Sequence, residues 1–231
     1  MNSLSDDDLA RAAGPGVGPH PRPWPDDHER YDPELLGQGD ARNVIDRYRY
    51  WRVPAIVADL NTRRNALRIA IQNWEHDFNI GSIVRTANAF NVSSVHIVGR
   101  RRWNRRGAMV TDRYLRVEHH AGTAELRQRM DELGVALIGV DNLPGAEPLE
   151  QVRLPRQACL VFGSEGPGLT AEMVQACDRL VAITQYGSTR SLNAGAAAAI
   201  AMYHWALDWA APAPAKPRPA PDGEENPRPQ A

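Results

Sequence analysis

The sequence predicts an α/β fold whose parallel sheet offers its carboxyl edge to a ligand. Three observations carry this. An apolar run, Cys159 to Phe162, breaks into Gly163-Ser164-Glu165-Gly166-Pro167-Gly168. A second, Leu180 to Ile183, breaks soon after into Gln185-Tyr186-Gly187-Ser188-Thr189-Arg190-Ser191. Upstream, apolar runs alternate with helical patterns, as βαβ units require. Buried strands that end in loops of small residues mark the sheet edge where ligands bind in such folds.

Taken in order, residues 1–40 are rich in Asp, Pro and Gly (PGVGPHPRPWPDD) and poor in aliphatics, so they read as a disordered acidic tail. Residues 41–62 read as a helical extension: ARNVIDRYRYW gives a short helix ending before Pro54, and 54–61 is ambiguous, compatible with a second. Residues 63–210 form the main domain. Arg63 and Arg64 lead into a strand over 66–74 (ALRIAIQNW), whose pattern alternates and then runs apolar through Ile69-Ala70-Ile71. Asn79-Ile80-Gly81-Ser82 opens a helix that places Ile80, Ile83, Val84, Ala87 and Phe90 on one face. Arg85 falls off that face. A cation near the front of a helix opposes the macrodipole, so helix stability does not explain it.

Ser94–Gly99 is the next strand, followed by Arg100-Arg101-Arg102-Trp103-Asn104-Arg105-Arg106, the densest basic cluster in the chain. Arg113 and Arg116 extend it. Guanidinium groups around one indole suit phosphate contact with base stacking on Trp103; a solvated charge run is the plainer alternative. Thr123–Leu133 is an amphipathic helix with Thr123 as N-cap, and 135–140 is a strand ending in Asp141-Asn142-Leu143-Pro144-Gly145 at the same sheet edge. A connector follows over 148–155. After the 163–168 loop, Thr170 starts a short helix and Leu180–Ile183 is a strand. Ser191 would cap the last helix, Ala194–Ala210, whose small residues Gly195 to Ala199 allow close packing. Residues 211–231 are a Pro/Ala-rich tail, read as disordered.

The glycine loop lacks the Lys-Ser/Thr of a phosphate loop and the GxGxxG spacing, so it suits a nucleoside better than a triphosphate. A tight turn without ligand remains the alternative for that loop alone. The polar Ser191-Leu192-Asn193 at the mouth of an alanine-rich helix is harder to explain by packing.

The 231-residue chain has a net charge of −1, unevenly spread. Residues 1–40 carry 3 Arg against 9 Asp and Glu, whereas residues 41–210 carry 21 Arg, no Lys and 16 acidic residues. The folded part is therefore basic, and all its cations are guanidinium, the better bidentate phosphate ligand. Cys159 and Cys177 read as buried thiols of a cytoplasmic protein. His119-His120 has no acidic or cysteine partner at metal spacing, so no metal site is expected.

Three ordered blocks, NIGSIVRTANAF (79–90), LVFGSEGPGL (160–169) and ITQYGSTRSLNAGAAAAIAMY (183–203), resemble the SPOUT methyltransferases, specifically the SpoU/TrmH-type RNA 2′-O-ribose methyltransferases. The resemblance covers residues 63–208 and implies helices on both faces of the sheet, a deep C-terminal trefoil knot, a homodimer and S-adenosylmethionine as cofactor. By motif position it implies a cofactor pocket of Leu143, Gly163, Glu165, Gly168, Ile183, Gln185, Leu192 and Asn193. Asn79, Arg85, Glu165, Ser191 and Asn193 match catalytic and substrate-side positions. Arg63, Arg64, Arg100, Arg101, Arg102, Trp103, Arg105, Arg106 and Arg113 are the candidate RNA contacts. Two departures stand out: Thr184 where the family often has Pro, and Asn193-Ala194-Gly195 where it often has Asn-Val-Ser.

Methyl transfer from a sulfonium needs alignment and loss of the ribose hydroxyl proton. No His or Cys lies in the three blocks to act as base, and guanidinium does not deprotonate readily. Arg85 is therefore read as holding phosphate and stabilising the developing alkoxide. The substrate reads as structured RNA, tRNA or rRNA, recognised without a separate globular domain before residue 60. The alternative is a non-catalytic knotted RNA-binding protein. A Rossmann-type enzyme would need a glycine loop after the first strand, where this chain has Glu75-His76-Asp77-Phe78.

Overall fold

The computed structural model describes residues 16–74, 79–164 and 166–210. Its centre is a seven-stranded sheet in which every pair is parallel: β1 (Asn65–Asn73), β2 (Val92–Gly99), β3 (Val117–His120), β4 (Ala136–Val140), β5 (Glu147–Pro148), β6 (Ala158–Phe162) and β7 (Arg179–Ala182), in the order β3-β2-β1-β6-β4-β7-β5. β6 is wholly apolar and β1 is buried from Ile69 to Asn73, because both faces of these central strands are covered. Helices α3 (Asn79–Ala89) and α6 (Ala194–Trp209) cover one face, and Ile80, Ile83, Val84, Ala198, Met202 and Trp205 are buried there against Ile69, Ile97 and Phe162. Helices α4 (Thr123–Leu133) and α5 (Ala171–Ala176) cover the other, where Leu126, Met130 and Met173 meet Val98, Leu137 and Val161. The expected helices on both faces are present.

Cys159 lies fully buried in the second core and Cys177 partly so; burial pushes the Cys159 thiol up and Cys177 to about 12. Among the described residues no helix is long and apolar enough to cross a membrane. The 211–231 tail and residues 1–15 lie outside the described residues.

The N-terminal part differs from expectation. Residues 16–40 are placed against the rest of the chain rather than trailing as a tail, and the helix expected over 41–53 is absent. Only one 3₁₀ turn, Asp46–Tyr48, forms there. The helices are α1 (Pro33–Gln38), capped by the Asp32 carboxylate, and α2 (Val53–Asn61), where Pro54 sits harmlessly in the first turn. Much of what orders this stretch is hydrogen bonding to one carboxylate, a signal that hydrophobic periodicity does not carry. Fully buried Asp40 accepts from the Arg42 guanidinium at 2.8 and 2.7 Å and from the backbone N–H groups of Arg42 and Tyr50 at 3.0 and 2.9 Å. Tyr48, Ile56 and Tyr114 then form a small core between α2 and the main domain.

Burial alone would raise the Asp40 carboxyl, but its donors outweigh this and hold it at about 2. A carboxyl depressed by folding stabilises the protein above its unfolded value, near 4, and loses that contribution as pH falls towards 2. Asp40→Asn should therefore cost about 2 kcal/mol at pH 7 and flatten the acid limb of stability between pH 4 and 2, checked by urea melts across that range. An unchanged acid limb would show that Asp40 is not its source.

Candidate active site

Two neighbouring polar residues at the end of β1 organise the carboxyl edge of the sheet. Gln72, fully buried, accepts from Thr170 N–H at 3.0 Å, donates to the Thr170 hydroxyl at 2.9 Å, and offers its carbonyl to Ser164 Oγ at 3.1 Å. It thus clamps both ends of the glycine loop. Asn73 donates through Nδ2 to the carbonyls of Arg100 and Arg102 at 2.6 and 3.0 Å, fixing the start of the arginine segment. Neither residue is singled out by sequence reasoning, since each looks like the tail of a buried strand.

Within the glycine loop the backbone doubles back on itself. A Cβ on Gly163 would lie 2.0 Å from the Gly168 carbonyl carbon, and Gly168 has a φ of +71°. Asp141, at the end of β4, secures the return: its carboxylate accepts from Leu169 N–H and from its own neighbour Asn142 N–H, each at 2.8 Å. Asn142 reaches across to the Arg190 carbonyl at 3.1 Å, tying in the segment after β7.

These turns enclose a cleft of about 390 Å³ at the carboxyl ends of β4, β6 and β7. Of the predicted cofactor residues, Gly163, Gly168, Ile183, Gln185, Leu192 and Asn193 line it, together with Ser191. Leu143 does not; the adjacent Asp141 and Asn142 take that side. Their loop was legible as belonging to this edge, but side-chain direction was not. Glu165 lies outside the described residues.

The front of α6 closes the cleft, and its cap differs from expectation. Asn193, not Ser191, supplies it, accepting from Gly195 and Ala196 N–H at 2.9 and 3.3 Å. Ser191 is left exposed and free to face a ligand. The Asn193 amide also donates to Asn79 Oδ1 at 2.8 Å, joining the third sequence block to the first. Tight α3–α6 packing allows this: a Cβ on Gly195 would lie 2.6 Å from Ser82 Oγ. Asn193→Ala should remove a cap worth about 1 kcal/mol. Tm should then drop by about 2–4 °C in calorimetry, with Ser191→Ala leaving it unchanged. The cap of α4 is also displaced: Gly122 takes that position, buried Thr123 is the first helical residue, and the Glu125 carboxylate accepts from Ala121 N–H.

Arg85 is exposed on α3, its guanidinium has no ion pair or hydrogen bond among the described residues, and it does not line the cleft of its own chain. Six residues beyond Asn79, it lies about 9 Å further along the helix axis. Thr184 donates its hydroxyl to Glu150, holding that carboxyl below its usual value and joining the segment after β7 to the 148–155 connector.

The arginine candidates divide. Arg100, Arg101, Arg102, Arg106 and Arg113 are exposed, their guanidinium groups without a partner among the described residues, and Arg105 is exposed with a loose contact to Asp112 at 3.5 Å. Trp103 is not an open stacking platform: it packs against the core, with the Arg105 guanidinium 5.5 Å from its ring centre. Arg63 and Arg64 are used internally. Arg63 pairs with Asp59 at 2.9 Å, and Arg64 donates to the carbonyls of Tyr114 and Val92 at 2.8 and 3.2 Å. Arg64 thereby pins the start of β1.

His119 and His120 point to opposite sides of β3. His119 Nε2 contacts the Gly99 carbonyl at 2.7 Å, while His120 does have partners of metal-binding type, His96 and Glu118, brought in by strand pairing rather than by spacing. The reading of an isolated pair is corrected on this point.

A family model described as the SpoU rRNA Methylase family matches residues 66–203. A tRNA (guanosine(18)-2′-O)-methyltransferase of Borreliella burgdorferi is 26% identical over 147 residues, covering 62% of this chain and 67% of that protein. The 23S rRNA (guanosine-2′-O-)-methyltransferase RlmB of Bordetella pertussis is 35% identical over 147 residues, covering 60% of this chain and 58% of that protein. The SpoU methyltransferase AviRb of Streptomyces viridochromogenes, solved in complex with the cofactor AdoMet, superposes with a TM-score of 0.56 at 22% identity, covering 63% of this chain and 58% of that one.

Proposed function

Because the chain belongs to the SpoU rRNA methylase family, we propose that it transfers a methyl group from S-adenosylmethionine to a ribose 2′-hydroxyl of structured RNA, tRNA or rRNA, by in-line displacement. The observation that carries this reading is the cleft itself. Three separated sequence blocks meet there: the Gly163–Gly168 turn, the Ser191–Asn193 mouth of α6, and Asn79 through its hydrogen bond to Asn193. The cleft is roomy, half apolar and lined by backbone that side chains would obstruct, a chemistry that fits a nucleoside. When bound, S-adenosylmethionine supplies a methyl group already activated by its sulfonium.

In this reading Gly163, Gly168, Ile183, Gln185 and Leu192 hold the cofactor, with Leu143 and Glu165 carried only by family position. Asn79, Ser191 and Asn193 orient the reacting groups. Arg85 holds the adjacent phosphate and stabilises the developing alkoxide, and the proton leaves to phosphate or water. The exposed guanidinium groups of Arg100, Arg101, Arg102, Arg105, Arg106 and Arg113 grip the RNA backbone. We take 63–210 as the catalytic domain and the segments after β6 and β7 as the threaded part of a trefoil knot. The ties from Asp141 and Asn142 bring those two segments together at the carboxyl edge, and the threading itself is carried by family membership.

Arg85 lies outside its own chain's cleft, so a homodimer with sites shared between protomers fits best. An apolar stripe on α6 supports this: Ile200, Tyr203 and Leu207 are 43, 60 and 68% exposed on one helix face. Tyr203→Glu with Leu207→Glu should convert the dimer to monomer in light scattering; a wild-type monomer would sink the shared-site model.

The activity is tested by incubating the full chain with isotopically labelled S-adenosylmethionine and bulk tRNA or rRNA, then digesting to nucleosides for mass spectrometry. Label on ribose is the expected result. Cofactor binding without transfer to either RNA would favour the non-catalytic RNA-binding alternative, and label on a base would overturn the ribose assignment.

A further inference from the structure

The sheet holds a second cluster of chemically capable side chains, far along the strand order from the cleft. His96 of β2 pairs directly with Glu118 of β3, and His120 lies two residues beyond Glu118, so all three project from the face that α4 covers. His96 is fully buried and His120 is 7% exposed. His96 Nδ1 lies 2.8 Å from His120 Nε2 and 4.0 Å from Glu118 Oε2, and the three donor atoms lie within 4.8 Å of one another. We propose that His96, Glu118 and His120 bind a divalent transition-metal ion of the zinc class, with a position left open to water, fastening edge strand β3 to the sheet.

Two imidazole nitrogens and one carboxylate oxygen form a borderline donor set that suits zinc or cobalt rather than magnesium or calcium. The surroundings are arranged as metal sites usually are. His96 Nε2 lies 2.8 Å from Ser94 Oγ, so its ring can donate there and turn the Nδ1 lone pair towards His120 and Glu118. Glu118 is oriented in the same way: Oε1 accepts from Arg116 Nε at 2.7 Å, which leaves Oε2, in longer contact with Arg129 at 3.4 Å, facing the imidazoles. Ligand bonds of 2.0–2.2 Å in a tetrahedral site set the donors about 3.3 Å apart. The two nitrogens must therefore separate by about half an ångström, and the carboxylate oxygen, 4.0 Å from His96 Nδ1 and within 4.8 Å of His120, must approach by roughly 0.7–1.5 Å, a movement on the scale of side-chain rotation.

The site has a structural consequence independent of methyl transfer. β2 leads into the arginine segment 100–116 and β3 leads out of it, so an ion shared by His96 and the β3 residues ties the two ends of that segment together.

The test uses the full chain stripped with a chelator, dialysed, and titrated with Zn²⁺ and separately with Co²⁺. One ion should bind per chain, Zn²⁺ should raise Tm, and Co²⁺ should give the visible absorption of a low-symmetry site. Ser94→Ala, which removes no ligand, should weaken Zn²⁺ binding by about 10- to 100-fold. His120→Gln and Glu118→Gln should each weaken it at least as much. His96 is the variant most prone to misfold, so the decision rests on His120 and Glu118, nearer the surface, and on the wild-type cobalt spectrum. Absence of saturable binding would overturn the proposal and leave Ser94, His96 and His120 as a hydrogen-bonded chain. Binding that survives both substitutions would overturn it as well, by placing the ion elsewhere.

Discussion

Gly163→Ala is expected to abolish S-adenosylmethionine binding in a titration in which the wild-type chain saturates. The new methyl group would meet the Gly168 carbonyl carbon at 2.0 Å, its oxygen at 2.3 Å and Leu169 N at 2.3 Å. All three are backbone atoms, so no rotamer change relieves the contact. The Gly168 to Leu169 strip must move, yet Asp141 and Gln72 hold it on either side through Leu169 and Thr170. The overpacking should cost about 1–3 kcal/mol of stability, leaving a folded protein whose cleft no longer has its shape. Circular dichroism and a thermal melt on the same sample separate the two effects. A folded variant with wild-type affinity would show that the cofactor does not lie against this turn.

Arg85→Ala is expected to reduce turnover by roughly 10²- to 10³-fold, the usual effect of removing one donor aimed at developing negative charge. Cofactor affinity and Tm should stay unchanged. The reason for the split is structural: Arg85 is exposed, its guanidinium makes no ion pair or hydrogen bond among the described residues, and it lies off the buried face of α3, so its loss should cost folding little. Arg85→Lys keeps the charge but loses the planar fork and should recover only a small part of the activity. Near-wild-type turnover in the lysine variant would exclude a bidentate role, and near-wild-type turnover in the alanine variant would remove Arg85 from the mechanism.

The sheet was legible because its central strands are buried on both faces and read as apolar runs bounded by glycine or polar breaks. Helix α3 was legible because Ile80, Ile83, Val84 and Ala87 recur at helical spacing and are all buried. The outline of the cleft was legible because close backbone approach demands small residues in order. What escaped was whatever depends on side-chain direction across distant segments. Gln72 and Asn73 look like the last residues of a strand, Asp141 like part of a turn, and His96 has its partners more than twenty residues away. Residues 16–52 misled for a related reason: their order comes from the Asp40 carboxylate and aromatic edges, such as Tyr48 with Trp51 at 5.3 Å, which leave no periodic trace. Arg64 shows the opposite error, a cation that sequence offers to RNA but whose donors are satisfied by backbone carbonyls and the Asn61 and Asn91 side chains.

The adjacency of Gln72 and Asn73 has a thermodynamic consequence. Successive residues of a strand face opposite ways, so one peptide unit anchors the glycine turn on one side and the arginine segment on the other. Both are immobilised when β1 takes its place in the sheet. Their conformational freedom is surrendered during folding, and a ligand arriving later meets rigid partners instead of having to freeze them out of its own free energy of association.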